Sequence, residues 1–184
     1  AIPTYLVSQA AKEHVTVVLN GDGGDESFAG YNRFLGSVYN PQIAKFIAGL
    51  SPSLSNFLPS SGKFGLVKKF LANANYGSWQ RYLNFSNIIT PLEIQQLLSS
   101  DLQSFASEEF LYTSETEAKK KISDAFPLHQ IMQAHFSTVL PDALLVKADR
   151  MSMAVGLEAR SPFFDTALME YVASLPENYK LQGR

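Results

Sequence analysis

The spacing of apolar residues at the start of the chain predicts a helix followed by a strand. Residues 2–13 are predicted to be helical, with Pro3 in the first turn, where a missing N–H costs little. Residues 15–19 form a compact β-branched run without alternation, which is typical of a parallel strand buried on both faces. The pattern then breaks into a glycine-rich turn, and a helix is predicted over residues 25–38. Together these elements form one α/β unit.

Short helical segments are predicted for the middle of the chain. Prolines and glycines interrupt residues 40–125 repeatedly, and Thr90 is expected to cap one segment because Pro91 and Glu93 follow it at the spacing of a helix start. Residues 115–126 are charged on one side and predict a solvated helix. No second strand of comparable quality follows the first. Because one parallel strand cannot form a sheet, most of its neighbours are expected to lie outside this chain.

The last third of the chain predicts a buried helical face and two further helices. One apolar stripe recurs at helical spacing and is expected to be buried; it comprises Leu128, Ile131, Met132, Phe136, Val139 and Leu140. A helix is predicted to start after Pro141 and to run to about Ala154. Asp165 is expected to cap a final helix that ends at Leu175, since Pro176 cannot continue it.

Composition and charge narrow the class of protein. The chain has 184 residues, of which 46% are hydrophobic and 17% charged, and this is enough to build one core. The net charge of −2 provides no basic excess, so a nucleic-acid partner is not expected. Cysteine is absent, which excludes disulfides, thiolate metal sites and a cysteine nucleophile within this chain. Neither a membrane-spanning run nor a targeting signal is visible in the sequence, and a cytoplasmic location is expected.

The first segment that carries chemistry follows the predicted strand and reads Asn20-Gly21-Asp22-Gly23-Gly24-Asp25-Glu26. Its glycines allow positive φ and let backbone N–H groups approach a ligand, and the following helix N-terminus favours anions. Its three carboxylates would repel bare phosphate, and this conflict is resolved if Mg²⁺ lies between them. The alternative is structural: Asp25 and Glu26 complement the helix dipole, and Asp22 completes the turn.

The second segment is the helix predicted after Pro141. Lys147 and Arg150 share one face of that helix and together suit a polyanionic leaving group. The alternative is an ordinary surface mixture of charges that includes Asp149. The third segment, residues 156–165, contains a Pro-Phe-Phe run and favours a structural lock over a chemical role.

Together and in this order, the three segments resemble asparagine synthetases of the glutamine-hydrolysing type. The resemblance rests on Gly-Asp-Gly-Gly-Asp-Glu, Lys-Ala-Asp-Arg-Met-Ser-Met-Ala and Glu-Ala-Arg-Ser-Pro-Phe-Phe-Asp, with a further match at residues 2–8. It implies a helix-dominated α/β fold, the adenine-nucleotide alpha-hydrolase-like (ATP-pyrophosphatase) domain, of which residues 1–184 would be an internal part. The family's Ser-Gly-Gly-x-Asp-Ser pyrophosphate loop and glutaminase domain are absent from the sequence. The resemblance therefore predicts a domain truncated at both ends and inactive by itself.

The resemblance also implies a reaction. Members of the family use ATP and Mg²⁺ to convert the side-chain carboxylate of aspartate to β-aspartyl-AMP, and pyrophosphate leaves. Ammonia, which an N-terminal glutaminase domain of the same chain releases from glutamine, then displaces AMP. A homodimer is compatible with this assignment. Two alternatives stay open: a relative that amidates another carboxylate or closes a lactam ring, and a binding module without catalysis.

Individual residues acquire roles by the same resemblance. Asn20 and Gly21 match positions that touch the nucleotide, and Gly23 and Gly24 complete that nucleotide-binding turn. Asp22 matches an acidic position associated with forming the acyl-adenylate.

The resemblance assigns the charge-bearing roles as well. Asp25 matches a carboxylate linked to Mg²⁺–pyrophosphate, and Lys147 falls on a basic position near the pyrophosphate path. The sequence departs from the family where Asn20 replaces the usual Ser, Ala29 the usual Gly and Phe164 the usual Leu. The first departure is expected to change a hydrogen bond to the nucleotide.

Overall fold

A computed structural model describes residues 1–38, 49, 68, 70–87, 89, 91–103, 107 and 111–181. In this part of the chain helices predominate, and two short strands form a sheet, so the predicted helix-dominated α/β class is confirmed. The helices are α1 (Ile2–Lys12), α2 (Gly24–Phe28), α3 (Asn32–Val38), α4 (Ser78–Ser86), α5 (Pro91–Leu97), α6 (Thr113–Lys120), α7 (Pro127–Ser137), α8 (Val146–Met153), α9 (Thr166–Ser174) and α10 (Glu177–Lys180). The strands are β1 (Val17–Leu19) and β2 (Glu158–Arg160), a π-helical segment covers Leu140–Leu145, and a 3₁₀ turn covers Pro162–Phe164.

The two strands lie side by side and run parallel, as β1 was predicted to do. Val17 pairs with Glu158 and Leu19 with Arg160. The ladder extends by one bond at the end of β1, where Asn20 N donates to the Arg160 carbonyl at 2.9 Å. β2 was not predicted, because two of its three residues, Glu158 and Arg160, carry charged side chains and the segment does not form an apolar run. Its place beside β1 comes from a long crossover that brings the third segment next to the first.

The expected burial of β1 on both faces is not found. Val17 is 43% exposed and Leu19 69% exposed, and only Val18 between them is half-buried. The physical reason is that, within the described part of the chain, β1 has a neighbouring strand on one edge only, and the sheet has just these two strands. The apolar run predicted greater burial of the β1 side chains than the described residues provide.

The helix predicted over residues 25–38 is divided in two. Ala29 adopts a left-handed conformation with φ 58, and its N–H bonds to the Asp25 carbonyl, so α2 ends there and α3 begins at Asn32. The prediction of one helix was wrong because the amphipathic pattern continues through the break. Gly30 makes the break possible: a Cβ at this position would collide with the Asp25 side chain.

The hydrophobic core lies between α3, α4, α6 and α7. Its buried residues are Ala29, Phe34, Val38, Tyr82, Leu83, Tyr112, Ala118, Leu128, Ile131, Met132 and Ala134. The predicted apolar stripe is confirmed at Leu128, Ile131, Met132 and Leu140, while Phe136 and Val139 are only half-buried. The core therefore lies behind α2 and α3 and supports them from one side.

Several predicted helix boundaries agree with the structure. α1 and α5 lie where helices were predicted, whereas the proposed cap Thr90 lies outside the described residues. Asp165 caps α9 as expected, since its Oδ1 accepts from Leu168 N at 3.0 Å. Residues 115–126 form a shorter helix than predicted, because α6 ends at Lys120. No helix in the described part of the chain is long and apolar enough to cross a membrane.

The helix predicted after Pro141 is present but begins with a wider turn. Residues Leu140–Leu145 are π-helical and continue directly into α8. Pro141 lacks an N–H and cannot make the α-helical bond to the preceding turn, which favours this local change of helix type. α8 then packs along α1, and this contact places the second predicted segment beside the end of β1.

Candidate functional site

The turn after β1 is closed by a pair of hydrogen bonds between two residues of the first segment, Asn20 and Asp22. Asn20 Nδ2 donates to Asp22 Oδ2 at 2.9 Å, and Asp22 N donates to Asn20 Oδ1 at 3.4 Å. One residue further on, Gly24 N donates to the Gly21 carbonyl at 3.2 Å. The Asp22 carboxylate is thereby held in one orientation at the carboxyl end of the strand.

Two adjoining cavities open at this end of the sheet. They have volumes of about 440 Å³ and about 250 Å³. Both are lined by Asn20, Asp22, Ala148, Ser152 and Ala159. Lys147 lines the larger cavity only.

Three predicted site residues from distant parts of the sequence are therefore brought together. Asn20, Asp22 and Lys147 border the same cavity. A carboxylate, an amide and an ammonium group around one cavity at the carboxyl end of β1 form an arrangement that can bind and orient a polyanion with its counter-ion.

Gly23 and Gly24 do not line either cavity; they lie against the third segment instead. Gly23 is buried with φ 92, and a Cβ there would lie 2.7 Å from Phe164 Cε1. A Cβ at Gly24 would lie 3.4 Å from Phe163 Cε2. The two phenylalanines thus pack on the glycine turn, and the structural lock predicted for residues 156–165 has a physical basis.

The third segment, which forms this structural lock, also contacts the candidate site. Ser161 Oγ donates a hydrogen bond to the Asp22 carbonyl, and the Ser161 side chain lines the smaller cavity. Ser152, which is 4% exposed, lines both cavities, and its Oγ donates to the Asp149 carbonyl at 3.2 Å. Sequence reasoning missed both serines. The small residues Ala148 and Ser152, four positions apart on α8, are the one signal in the sequence for a helix face that approaches a ligand or backbone closely.

Asp25 lies in the first turn of α2 with an exposed side chain. Its carboxylate is directed at the backbone of Gly30, and it does not line the two cavities. Among the described residues, no three or more His, Asp or Glu side chains are grouped so as to hold a metal ion by themselves. Arg150 is likewise exposed and does not line the cavities, so Lys147 and Arg150 do not present two cations to one ligand.

Glu26, the third carboxylate of the turn, is buried behind it. Its side chain is 2% exposed, and Oε1 accepts a hydrogen bond of 2.6 Å from the Tyr31 hydroxyl. Burial and this hydrogen bond raise the pKa of Tyr31. Glu26 therefore anchors α2 to the core, and the three carboxylates of the segment do not face one ligand.

His135 completes the polar cluster behind α2. Its Nε2 lies 3.8 Å from Glu26 Oε1 and 3.4 Å from Arg33 Nη2, and its Nδ1 lies 3.4 Å from the Tyr82 hydroxyl. Because a guanidinium can only donate, Nε2 is the acceptor and the imidazole is neutral. Burial, reinforced by the charge of Arg33, lowers the pKa of His135 to about 4. These two effects outweigh the attraction of Glu26, whose carboxylate is already bonded to Tyr31.

Comparisons with known proteins support the family that the sequence resembles. The family model described as asparagine synthase matches residues 1–184. The chain is 28% identical to the glutamine-hydrolysing asparagine synthetase 1 of Bacillus subtilis over 183 residues, which is 100% of this chain and 28% of that protein. A protein of Methanocaldococcus jannaschii whose name also describes a glutamine-hydrolysing asparagine synthetase is 33% identical over 161 residues, covering 82% of this chain and 28% of its own length.

A relative with a different name matches over a similar region. The amidase chyE of Penicillium rubens is 24% identical over 190 residues, which is 96% of this chain and 28% of that protein. The chain thus spans 28% of the length of each of these three curated relatives. No solved structure matched the chain significantly.

Proposed function

Since the chain belongs to the asparagine synthase family, we propose that it forms part of the site at which a carbon–nitrogen ligase activates a carboxylate with ATP. The observation that carries the proposal is the meeting of Asn20, Asp22 and Lys147 at one cavity of about 440 Å³. Ligands of parallel α/β sheets bind beyond the carboxyl ends of the strands, and this cavity is lined by Leu19 and Asn20 at the carboxyl end of β1. The proposed substrates are ATP and aspartate, with ammonia from a glutaminase domain of the same protein.

Lys147 and Asp22 have complementary tasks in this proposal. The Lys147 ammonium, at the edge of the cavity, stabilises the negative charge that develops as a carboxylate oxygen of the substrate bonds to the α-phosphorus of ATP and pyrophosphate leaves. Asp22 enters the reaction already oriented, because Asn20 holds its carboxylate through a bond of 2.9 Å. Little reorganisation is then needed when the substrate binds.

Magnesium fits the donors of the turn. Mg²⁺ prefers carboxylate and phosphate oxygens and is usually held by one or two protein carboxylates together with the phosphates of the substrate. Asp22 offers one such carboxylate at the cavity, and Asp25 offers a second once its exposed side chain changes rotamer. The ion would supply charge neutralisation for the triphosphate.

Gly21 has a separate proposed task in nucleotide binding. It is exposed, and a Cβ at this position would meet nothing within 4 Å. A nucleotide can therefore approach the backbone at Gly21 closely, as the motif predicts. The Gly24 N–H is already donated to the Gly21 carbonyl at 3.2 Å, so Gly23 and Gly24 serve the packing of the turn.

A second candidate has support for the acceptor, the carboxylate substrate that the ligase activates. The residues at the cavity recognise phosphate and metal, and these features are common to any ligase that adenylates a carboxylate. Because one relative, in Penicillium rubens, is named as an amidase, the alternative acceptor is a carboxylate other than that of aspartate. A non-catalytic binding module is the third candidate, and it predicts that substitutions at the cavity leave ATP consumption unchanged.

The test measures AMP and pyrophosphate release by the full-length protein that contains this chain, with and without aspartate. We expect Lys147→Gln to lower the rate at least about 100-fold, because one preorganised charge is lost at the leaving group. Arg150→Gln is the matched control on the same helix, since Arg150 lies outside the cavities. Equal rates for both variants and the unsubstituted protein would favour the binding module, and ATP cleavage that needs another carboxylate would favour the alternative acceptor.

A further inference from the structure

A further cavity is lined by Ser27 of α2 and shares no residue with the two cavities near the end of β1. Its volume is about 410 Å³. Most of its wall is apolar and comes from α7 and α9, including Met132, Phe136, Met169 and Val172. This volume is within the range of sites that take small organic ligands.

A few polar groups interrupt the apolar wall. Ser27, on α2, is 5% exposed, and its Oγ has no hydrogen-bond partner among the described residues although it lines the cavity. A buried hydroxyl without a partner costs free energy, so its presence in the wall points to a ligand or solvent group that completes it.

Lys180 brings a positive charge to the same cavity. Its side chain is 9% exposed; Nζ lies 3.1 Å from His129 Nε2 and 3.5 Å from the Ala173 carbonyl. An ammonium group has three donors, so one remains without a partner within the described residues. Burial lowers the pKa of Lys180 despite the opposing effect of Glu177, as expected for a cation without a full counter-charge.

Glu177, the acidic side chain whose charge acts on Lys180, also has a structural role. Glu177 Oε1 accepts a hydrogen bond of 2.9 Å from Leu128 N and so completes the first turn of α7. A ligand carboxylate would supply a third acceptor and a further negative charge to Lys180, while its hydrocarbon part would cover Met132, Phe136 and Val172.

We propose that this cavity is a binding site for a small monocarboxylate with an apolar body, held by Lys180 at its carboxylate. Ser27 offers an additional hydrogen-bonding group in the same cavity. The site is separate from the proposed nucleotide site, but α2 links them, because this helix carries Ser27 and begins at the turn that holds Asp22.

The experiment uses the full-length protein and octanoate as the probe, with octan-1-ol as the neutral probe of equal length, in isothermal titration calorimetry. We expect saturable binding of octanoate, and we expect Lys180→Met to weaken octanoate at least about tenfold while leaving octanol unchanged, since one charge-assisted hydrogen bond is lost. The matched control is Lys120→Met, because Lys120 is an exposed lysine whose ion pair with Glu117 is also exposed.

A second pair of variants tests the proposed site even if the Lys180→Met variant fails to fold. Ala173 lines the cavity from an exposed helical position, so Ala173→Phe should fill part of the cavity and reduce octanoate binding, whereas Ser174→Phe next to it should not. Absence of saturable octanoate binding to the unsubstituted protein, or unchanged binding in both Lys180→Met and Ala173→Phe, would overturn the proposal. If the unsubstituted protein binds octanoate but releases no AMP, the result counts against the proposed ligase function and leaves the proposed carboxylate site standing.

Discussion

At the scale of single residues, the hydrogen bonds between Asn20 and Asp22 matter most for the proposed chemistry. The amide of Asn20 both donates to the Asp22 carboxylate and accepts from the Asp22 backbone N–H. The departure of this chain from the usual serine was expected to alter a contact with nucleotide. The structure adds a different role, in which Asn20 positions the carboxylate beside it.

We expect Asn20→Ala in the full-length protein to lower kcat for AMP release about tenfold with little change in stability, because Asp22 loses the donor that orients it. Asn20→Ser should lose less activity, since a hydroxyl can still donate. The measurement is steady-state kinetics with varied ATP. A rise in KM for ATP at constant kcat would show instead that Asn20 acts through the nucleotide.

Ala29 illustrates how two residue-scale effects offset each other. Its left-handed backbone conformation costs about 1 kcal/mol relative to glycine, whereas its methyl group is 3% exposed and contributes a similar amount by burial. The chain can therefore carry alanine where the family usually has glycine. This substitution is conservative for a physical reason that the sequence does not reveal.

At the scale of elements, the glycine turn and the Pro-Phe-Phe turn act as one unit. Gly23 and Gly24 lie under Phe164 and Phe163, and Ser161 bonds to the Asp22 carbonyl. The arrangement of β1, the glycine turn and α2 thus depends on contacts with the Pro-Phe-Phe turn, which lies far from them in the sequence. The glycines that the motif assigned to phosphate binding are needed first for this packing.

Gly23→Ala tests that packing. We expect it to lower the free energy of unfolding by about 1–3 kcal/mol, because φ 92 is unfavourable for alanine and the new Cβ would lie 2.7 Å from Phe164 Cε1. Gly21→Ala is the matched control: its Cβ would meet nothing within 4 Å, and the change should be within about 0.5 kcal/mol. Urea unfolding of both variants measures the difference, and equal midpoints would contradict the lock.

At the scale of the whole molecule, the strand ends are joined to the core by the buried polar cluster behind α2. Glu26, Tyr31, Arg33, Tyr82 and His135 connect α2, α3, α4 and α7. Such a cluster is stable only while each member keeps the protonation state that its partners require. The attachment of the candidate site to the core therefore depends on pH.

We expect the protein to lose stability as pH falls from about 6.5 toward 4. The unfolded chain protonates His135 near its ordinary pKa of 6.5, while the folded state keeps it neutral down to about 4, so the unfolded state binds the proton first. The loss is at most about 3 kcal/mol, which corresponds to the difference between these pKa values.

The direct measurement is an NMR titration of the His135 imidazole in the folded protein, which should still be neutral at pH 5. Unfolding experiments across the same pH range should show a shallower decline for His135→Gln than for the unsubstituted protein. An imidazole that titrates near 6.5 would contradict the arrangement.

The fold was accessible from sequence wherever local signals decide structure. α1, the glycine turn, the α7 stripe and the Asp165 cap were all predicted, because each depends on side-chain periodicity or capping within a few residues. The single helix predicted over residues 25–38 was wrong, since a left-handed residue at Ala29 leaves no trace in the amphipathic pattern. β2 was missed because two of its three residues, Glu158 and Arg160, are charged and the strand pairs with β1 through its backbone.

By itself the sequence determined the order of the elements, the family and which residues carry candidate chemistry, since these depend on composition and motif spacing. Only the tertiary structure decided which of those residues meet. It places Asp22 and Lys147 at one cavity, turns Asp25 toward Gly30 and buries Glu26. The physical reason is that side-chain direction depends on the pairing of β1 with β2 and on the packing of α8 against α1, and both are contacts between distant parts of the chain.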